Sequence, residues 1–276
     1  MKRSLVVLAA LLLLLFSYAK ASRQIFILPE PQFVIVPVTQ HPTDVQYKPI
    51  VTVSPHWEVL SPEEVYQKNL GAVVKVRMFK TITIPGTHQR IYLDAHAWGS
   101  GSVLPCKKHT AYCVLTAFHV VSDSSMTYFA HFDDGSPDQM LTVVYGTTTY
   151  DNAVLRFADP NFVPKYVAVL GSSAPLVPGT PIYAIGSPVY GDFHYSVGRL
   201  YAKVDRPGPY APWLYNGKVM FINTTIFHGY SGGPLLNKYG QIVGIADGYY
   251  KDSDEPSAMY VGVPIDEIKK IQKILE

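Results

Sequence analysis

AVVKVRM, residues 72 to 78, alternates: Val74, Val76 and Met78 fall on one face and Lys75 and Arg77 on the other. A period of two with β-branched residues is the mark of a half-buried strand. The same texture of short apolar runs punctuated by Gly, Pro and Asn continues to about Pro264. No repeat at a period of about 20 to 50 residues interrupts it, which argues against a solenoid or propeller. An all-β chain built as an antiparallel barrel or sandwich is the expectation. Two helices frame it. Ser61-Pro62-Glu63-Glu64 reads as an N-cap serine, a proline at the first helical position and a glutamate closing a capping box, with Gly71 ending the helix early. At the far end, PIDEIKKIQKILE (264 to 276) repeats Ile268, Ile271, Ile274 and Leu275 at helical spacing, with Lys269, Lys270 and Lys273 facing away.

Upstream of this region the chain changes character. Lys2 and Arg3 precede an apolar run from Leu5 to Phe16, and Ala19-Lys20-Ala21 has the form of a cleavage site, so residues 1 to 21 read as a secretory signal. The competing reading is an uncleaved membrane tether, since Ser17 and Tyr18 lengthen the run. Either places the rest of the chain outside the cytoplasm, periplasmic, extracellular or tethered on the outer face. Residues 22 to 57 hold six prolines (Pro29, Pro31, Pro37, Pro42, Pro49 and Pro55) among apolar pieces such as QIFIL and FVIVPV. Proline blocks helix, and the apolar residues should pack on the main domain or on a partner. A propeptide, a tether and a homo-oligomerisation arm are all compatible with it. The main domain is expected over 58 to 276.

Of 23 Lys and Arg residues, three (Lys2, Arg3, Lys20) lie in the leader, leaving 20 basic against 21 acidic groups. A near-neutral mature chain offers no electrostatic footprint for nucleic acid. With 48% hydrophobic and 16% charged residues over 276 positions, the composition is that of a globular protein with a substantial core. Cys106 and Cys113 bracket CKKHTAYC, a polar stretch between apolar runs that looks like a hairpin loop, and export permits a disulfide across its base. The alternative, a metal site of Cys106, His109 and Cys113, has an uncommon spacing for zinc and lacks a fourth ligand.

HGYSGGPLLN, residues 228 to 237, carries the chemistry. Glycines on both sides of Ser231 let the backbone turn tightly and aim its N–H groups at one point, as an oxyanion hole requires. A serine hydroxyl needs a base within hydrogen-bond reach, usually an imidazole whose tautomer a carboxylate fixes. His119 in VLTAFHVV and Asp151 in TYDNAVLRF supply both types, each at the end or start of an apolar strand run. Alone, the histidine reads as structural, the aspartate as a turn former and the Gly-Ser stretch as an ordinary turn. Histidine, aspartate and serine in that order, separated by 32 and 80 residues, read as a triad.

Several stretches then resemble the HtrA (Deg) branch of the chymotrypsin-fold serine proteases: GSGSVL (99 to 104), CVLTAFHVV (113 to 121), YDNAVLRF (150 to 157), YAIGSPVYGDFHYSVGRL (183 to 200), NTTIFHGYSGGPLLNKYGQIVGI (223 to 245) and VGVPIDEIKKI (261 to 271). The resemblance covers about residues 60 to 276. It implies a chymotrypsin-like double six-stranded β-barrel with a C-terminal helix and the triad in the cleft between the barrels. It further implies Ser231 as nucleophile, His119 as base and then acid, Asp151 as orienter, and the amides of Gly229 and Ser231 as the oxyanion hole. No metal or organic cofactor is required, and the partners implied are protein or peptide substrates. By the same resemblance Thr225 lies at the base of the specificity pocket and Asp247, Gly248 and Tyr249 along its wall, so small or aliphatic residues are the expected cleavage sites. Tyr230 and His228 depart from the family pattern, the first expected to narrow the cleft. The family's peptide-binding PDZ domain is not expected after the closing helix. Asn223-Thr224-Thr225 matches a glycosylation sequon, but its place beside the pocket argues against use. Two other functions remain: a pseudoprotease that only binds through the barrel, and an esterase, which lacks the G-x-S-x-G elbow usual for that chemistry.

Overall fold

In a computed structural model, the residues described are 51–52, 58–86, 89–106, 111–189, 191–205, 217–250 and 259–269. The leader, its apolar run and most of the Pro-rich segment lie outside them, as do His109 and residues 270 to 276 of the closing helix. Two residues of the Pro-rich segment are described: Val51–Thr52 form β1, which pairs in parallel with β8 (Tyr166–Val167).

The first barrel comprises β2 (Val73–Thr83), β3 (Arg90–Pro105), β4 (Tyr112–Thr116), β5 (Met126–Phe132), β6 (Gln139–Thr147) and β7 (Asn152–Phe157). It closes in the order β2-β3-β4-β7-β6-β5. The alternation read in AVVKVRM puts Val74 and Val76 inside, while Met78 is half-buried. A bulge between Arg77 and Phe79 then shifts the phase and turns Phe79 inward.

The second barrel uses β10 (Pro181–Gly186), β11 (His194–Asp205), β12 (Lys218–Ile222), β13 (Pro234–Leu236), β14 (Gln241–Tyr250) and β15 (Met259–Pro264). Its order is β13-β10-β11-β12-β15-β14, closed by antiparallel pairing of β13 with β14, and the short β9 (Val169–Leu170) runs parallel along β14. The double six-stranded barrel expected from the sequence is therefore present. Full closure leaves neither barrel an open edge to pair with another chain.

Helix α1 (Pro62–Asn69) starts as read, with the Ser61 side chain accepting from Glu64 N–H and the Glu64 carboxylate accepting from Ser61 N–H. Helix α2 (Ile265–Lys269) begins directly after β15. Both helices plug the seam between the barrels: Leu60, Val65, Ile265 and Ile268 pack with Leu104, Leu115 and Val154 of the first barrel and Ile185, Leu236 and Ile242 of the second. Each such buried aliphatic side chain contributes on the order of 1.5 to 3 kcal/mol by leaving water. The seam is thus a shared core that holds the two barrels in one register and fixes whatever side chains line its outer edge.

Candidate active site

Strand pairing brings the histidine and the aspartate together. β4 and β7 are antiparallel neighbours with Thr116 opposite Ala153, so the residues just after β4 and just before β7 emerge at the same end of the barrel. His119 sits there in a 3-10 turn, Phe118–Val120, and Asp151 in the turn opposite. Asp151 holds φ at +38°, a region costly for a side chain with a Cβ. That conformation is anchored by Phe118 N–H donating to the Asp151 carbonyl at 3.1 Å and His119 N–H donating to Asp151 Oδ1 at 2.8 Å. His119 Nδ1 lies 2.5 Å from Asp151 Oδ2, which fixes the ring and leaves Nε2 for the cleft. Burial opposes a charge on either group. The contact wins for both: the Asp151 hydrogen bond and charge hold His119 above the ordinary imidazole value of 6.5, and the His119 contacts hold Asp151 below 3.8.

The serine comes from the other barrel, in the loop between β12 and β13. A network built on Ser100 of β3 ties that loop to the first barrel. Ser100 N–H donates to the Ser231 carbonyl at 2.8 Å, and its hydroxyl donates to the Gly229 carbonyl at 2.6 Å while accepting from Ser187 N–H at 2.9 Å. Trp98 Nε1 donates to the Ser187 carbonyl at 3.0 Å. The His228 carbonyl is held by Val189 N–H. Gly229, at φ +98°, has no room for a Cβ, which would overlap the Ser187 carbonyl oxygen. Among the described residues, the amides of Gly229 and Ser231 donate to no protein acceptor. His119, Gly229 and Ser231 border one cleft of about 280 Å³ with Met78, His96, Trp98, Val120, Val189 and His228. The Ser231 hydroxyl donates to the Asp247 carbonyl at 3.0 Å.

The three residues read as a triad and both amides read as an oxyanion hole thus meet at one place. Asp247 and Gly248 line an adjoining pocket of about 460 Å³ with Ser231, Ile226, Phe227, His228 and Tyr260. Thr225 is not among its lining residues. It is exposed, its carbonyl accepting from Ser196 Oγ, because the chain turns inward one residue later at buried Ile226. Ile226, Phe227 and Tyr260 escaped sequence reasoning. Tyr260 reaches the pocket only through the pairing of β15 with β14 and β12, which no local pattern reveals. Tyr230 does not narrow the cleft: it is fully buried in the second barrel beneath the loop, its hydroxyl 2.9 Å from His194 Nδ1. Its tyrosine ring is apolar payload that anchors the turn from below. Asn223 Oδ1 accepts from Arg199 N–H at 2.6 Å.

Cys106 and Cys113 are bonded to each other with Cα atoms 5.6 Å apart, closing the hairpin between β3 and β4. One cluster of metal-ligand type occurs among the described residues, His119, Asp151 and Asp247, with ligand atoms within 4.8 Å of one another. The 2.5 Å spacing of Nδ1 and Oδ2 is that of two atoms sharing a proton, shorter than two ligands of one ion at about 2.0 to 2.2 Å each would allow.

Residues 99–245 match the trypsin-like peptidase domain. The serine protease Do-like HtrA of Bacillus subtilis (strain 168) is 31% identical over 180 residues, covering 64% of this chain and 39% of that protein. Protease Do-like 1, chloroplastic, of Arabidopsis thaliana is 29% identical over 170 residues, covering 62% and 37%. The chain therefore spans about two-fifths of the length of the curated relatives it matches. In fold it is similar to the HtrA-type protease AlgW with decapeptide, at TM-score 0.61 and 19% identity over 78% of this chain and 67% of that one. On the match over residues 99–245, more than half its length, this chain belongs to the trypsin-like peptidase domain family.

Proposed function

We propose that this chain is a serine endopeptidase acting on proteins or peptides outside the cytoplasm, with His119, Asp151 and Ser231 as its triad. The observation that carries the reading is the convergence, across the seam of two barrels, of an imidazole oriented by a buried carboxylate, a serine hydroxyl and two amides without an acceptor among the described residues. Ser231 Oγ turns from the Asp247 carbonyl toward His119, a rotation about one side-chain torsion, and attacks the substrate carbonyl carbon as Nε2 takes its proton. The oxyanion formed accepts from the Gly229 and Ser231 amides. Collapse breaks the C–N bond, His119 returns the proton to the leaving amine, and a water molecule activated by the same base hydrolyses the acyl-enzyme. Ile226, Phe227 and Tyr260 make the neighbouring pocket largely apolar, which supports cleavage after aliphatic residues. Export rests on the leader-like residues 1 to 21 and on relatives described as probable periplasmic endoproteases. Among the described residues no helix is long and apolar enough to cross a membrane.

The test is reaction of the purified chain with a fluorophosphonate, with the adduct located by mass spectrometry. A stoichiometric adduct on Ser231 is expected. An unreactive chain sinks the hydrolase reading in favour of the binding module, for which the turned-away hydroxyl is the one supporting observation. The pH dependence follows from the histidine. Because its partner raises it, the rate of labelling should be half-maximal above pH 6.5 and fall as His119 is protonated. The stability contributed by the pair has the opposite sense for its two members. The raised histidine contributes below 6.5 and loses its contribution as pH rises through the folded value, and the lowered aspartate contributes above 3.8 and loses its contribution as pH falls.

A further inference from the structure

β3 departs from its ladder beside the cleft. Arg77 pairs with Trp98 and Phe79 with Asp94, so Ala95, His96 and Ala97 all stand opposite Met78. A bulge of this kind re-aims a side chain and recurs beside active sites. His96, at its apex, holds φ at +51°. Among the described residues, His96 and Asp151 are the non-glycine positions with positive φ; Asp151 faces the His119 ring, and His96 borders the same cleft. Such a conformation persists only where the surrounding contacts over-determine it, and it gathers at functional sites.

The contacts here form a built frame. His96 N–H donates to Asp94 Oδ1 at 2.8 Å, Arg77 Nη2 donates to Asp94 Oδ2 at 2.6 Å, and Arg77 Nη1 donates to Asp138 Oδ2 at 3.0 Å. His131 Nδ1 lies 2.7 Å from Asp138 Oδ1. The guanidinium, between two carboxylates and with Cζ 4.9 Å from the centroid of the Phe79 ring, gives Asp94 one orientation. His96 itself is exposed, so the frame does not serve the core.

We propose that His96 is a specificity-determining residue, selecting a large apolar side chain of the leucine or phenylalanine kind directly after the scissile bond, and that Asp94 is the positioning residue that holds it there. This rests on the endopeptidase reading. His119 returns its proton to the leaving amine, so the leaving segment starts at the imidazole. The pocket beside Asp247 and Tyr260 does not include His119 and takes the acyl side, whereas the cleft of Met78, His96, Trp98 and Val189 includes it and receives the leaving side. At about 280 Å³ that cleft lies just under the roughly 300 Å³ at which pockets for drug-sized molecules begin, which is room for one side chain. Its described lining offers thioether, indole, aliphatic and imidazole groups and no Lys, Arg, Asp or Glu. A charged side chain would leave water there without a counter-charge, while an apolar or aromatic one gains contact with the Met78 and Trp98 surfaces. The His96 ring, on the bulge opposite Met78, then covers the inserted side chain from solvent.

The test is acyl transfer. The full chain is acylated by a peptide thioester in the presence of Leu-Ala-NH2, Ala-Ala-NH2 or Asp-Ala-NH2. The amine attacks the Ser231 ester carbonyl, the C–O bond to Oγ breaks as the C–N bond forms, and His119 passes the proton of the amine to Oγ. Amine and water compete for one acyl-enzyme, so the ratio of transfer to hydrolysis reads the leaving side alone. Leu-Ala-NH2 is expected to exceed the other two by about 10-fold or more, the worth of an apolar group placed in a pocket. H96G, which adopts positive φ without strain, should cut that preference to about twofold or less. D94A should do the same in the parent chain and change nothing further in H96G, a non-additivity that a merely structural role for Asp94 does not produce. In parallel, the Met78 methyl resonance of S231A is titrated with the same amides, which reads binding without catalysis. Leu-Ala-NH2 should shift it at lower concentration than Asp-Ala-NH2, a difference lost when S231A also carries H96G. Equal transfer to the three amides, or a preference that H96G keeps, overturns the proposal. Absence of both hydrolysis and transfer sinks the endopeptidase reading, and the Met78 titration then decides the subsite alone: a leucine preference lost with His96 sustains it, and equal shifts overturn it.

Discussion

Ser231→Ala and His119→Ala are each expected to lower kcat/KM on a protein substrate by about 10⁵- to 10⁶-fold, and the double variant to be no slower than either single one. The two groups perform one step. Without the base the hydroxyl is a poor nucleophile, and without the hydroxyl the base has nothing to activate. Asp151→Asn tests the orienter separately. An asparagine places an N–H donor where Asp151 now faces Nδ1 at 2.5 Å, which forces the ring proton onto Nε2, the atom that must accept. A loss of about 10⁴-fold is expected with the fold retained. Additive losses in the double variant, or an Asp151→Asn enzyme within tenfold of the parent, would show that these residues do not act as a unit. Steady-state hydrolysis of casein with active-site titration checks both.

The second large effect is on stability and lies one residue after the serine. Gly232 adopts φ +83°, and a Cβ there would overlap Thr116 Oγ1 and the Ser100 carbonyl and come within 2.6 Å of Ala117 N. These are backbone and short side-chain atoms of the first barrel. Thr116 Oγ1 already donates to the Ser100 carbonyl at 2.6 Å, and Gly232 N–H donates to the Ala246 carbonyl at 2.7 Å, so neither side has room to retreat. Gly232→Ala is expected to cost about 3 kcal/mol or more, from overpacking and positive-φ strain together. Urea denaturation followed by tryptophan fluorescence measures it. A loss under about 1 kcal/mol would mean that the loop relaxes away from β3 freely, against the Ser100 network.

Much of this was legible in order along the chain. The strand texture from AVVKVRM onward, the capping box at Ser61 and the Gly-Tyr-Ser-Gly-Gly turn are local patterns, because alternation, N–H satisfaction and positive φ are decided within a few residues. The histidine follows one strand run and the aspartate precedes another, and β4 and β7 put those ends side by side. Ser100 lay in the GSGSVL stretch without announcing a role. Its importance comes from touching Ser187 and Gly229, 87 and 129 residues away.

What the amino-acid sequence determined by itself, then, was the strand-rich class, the two framing helices and the residue types that meet at the cleft, since each follows from short-range periodicity or from side-chain chemistry. Only the tertiary structure decided which way those side chains face. Thr225 faces solvent while Ile226 and Tyr260 build the pocket, Tyr230 supports the loop from beneath, and Asp247, at a bulge in β14, lines the pocket and also brings its carboxyl to 3.6 Å from the imidazole. One inserted residue reverses the facing of a strand, and its effect depends on partners that are adjacent only after both barrels have closed.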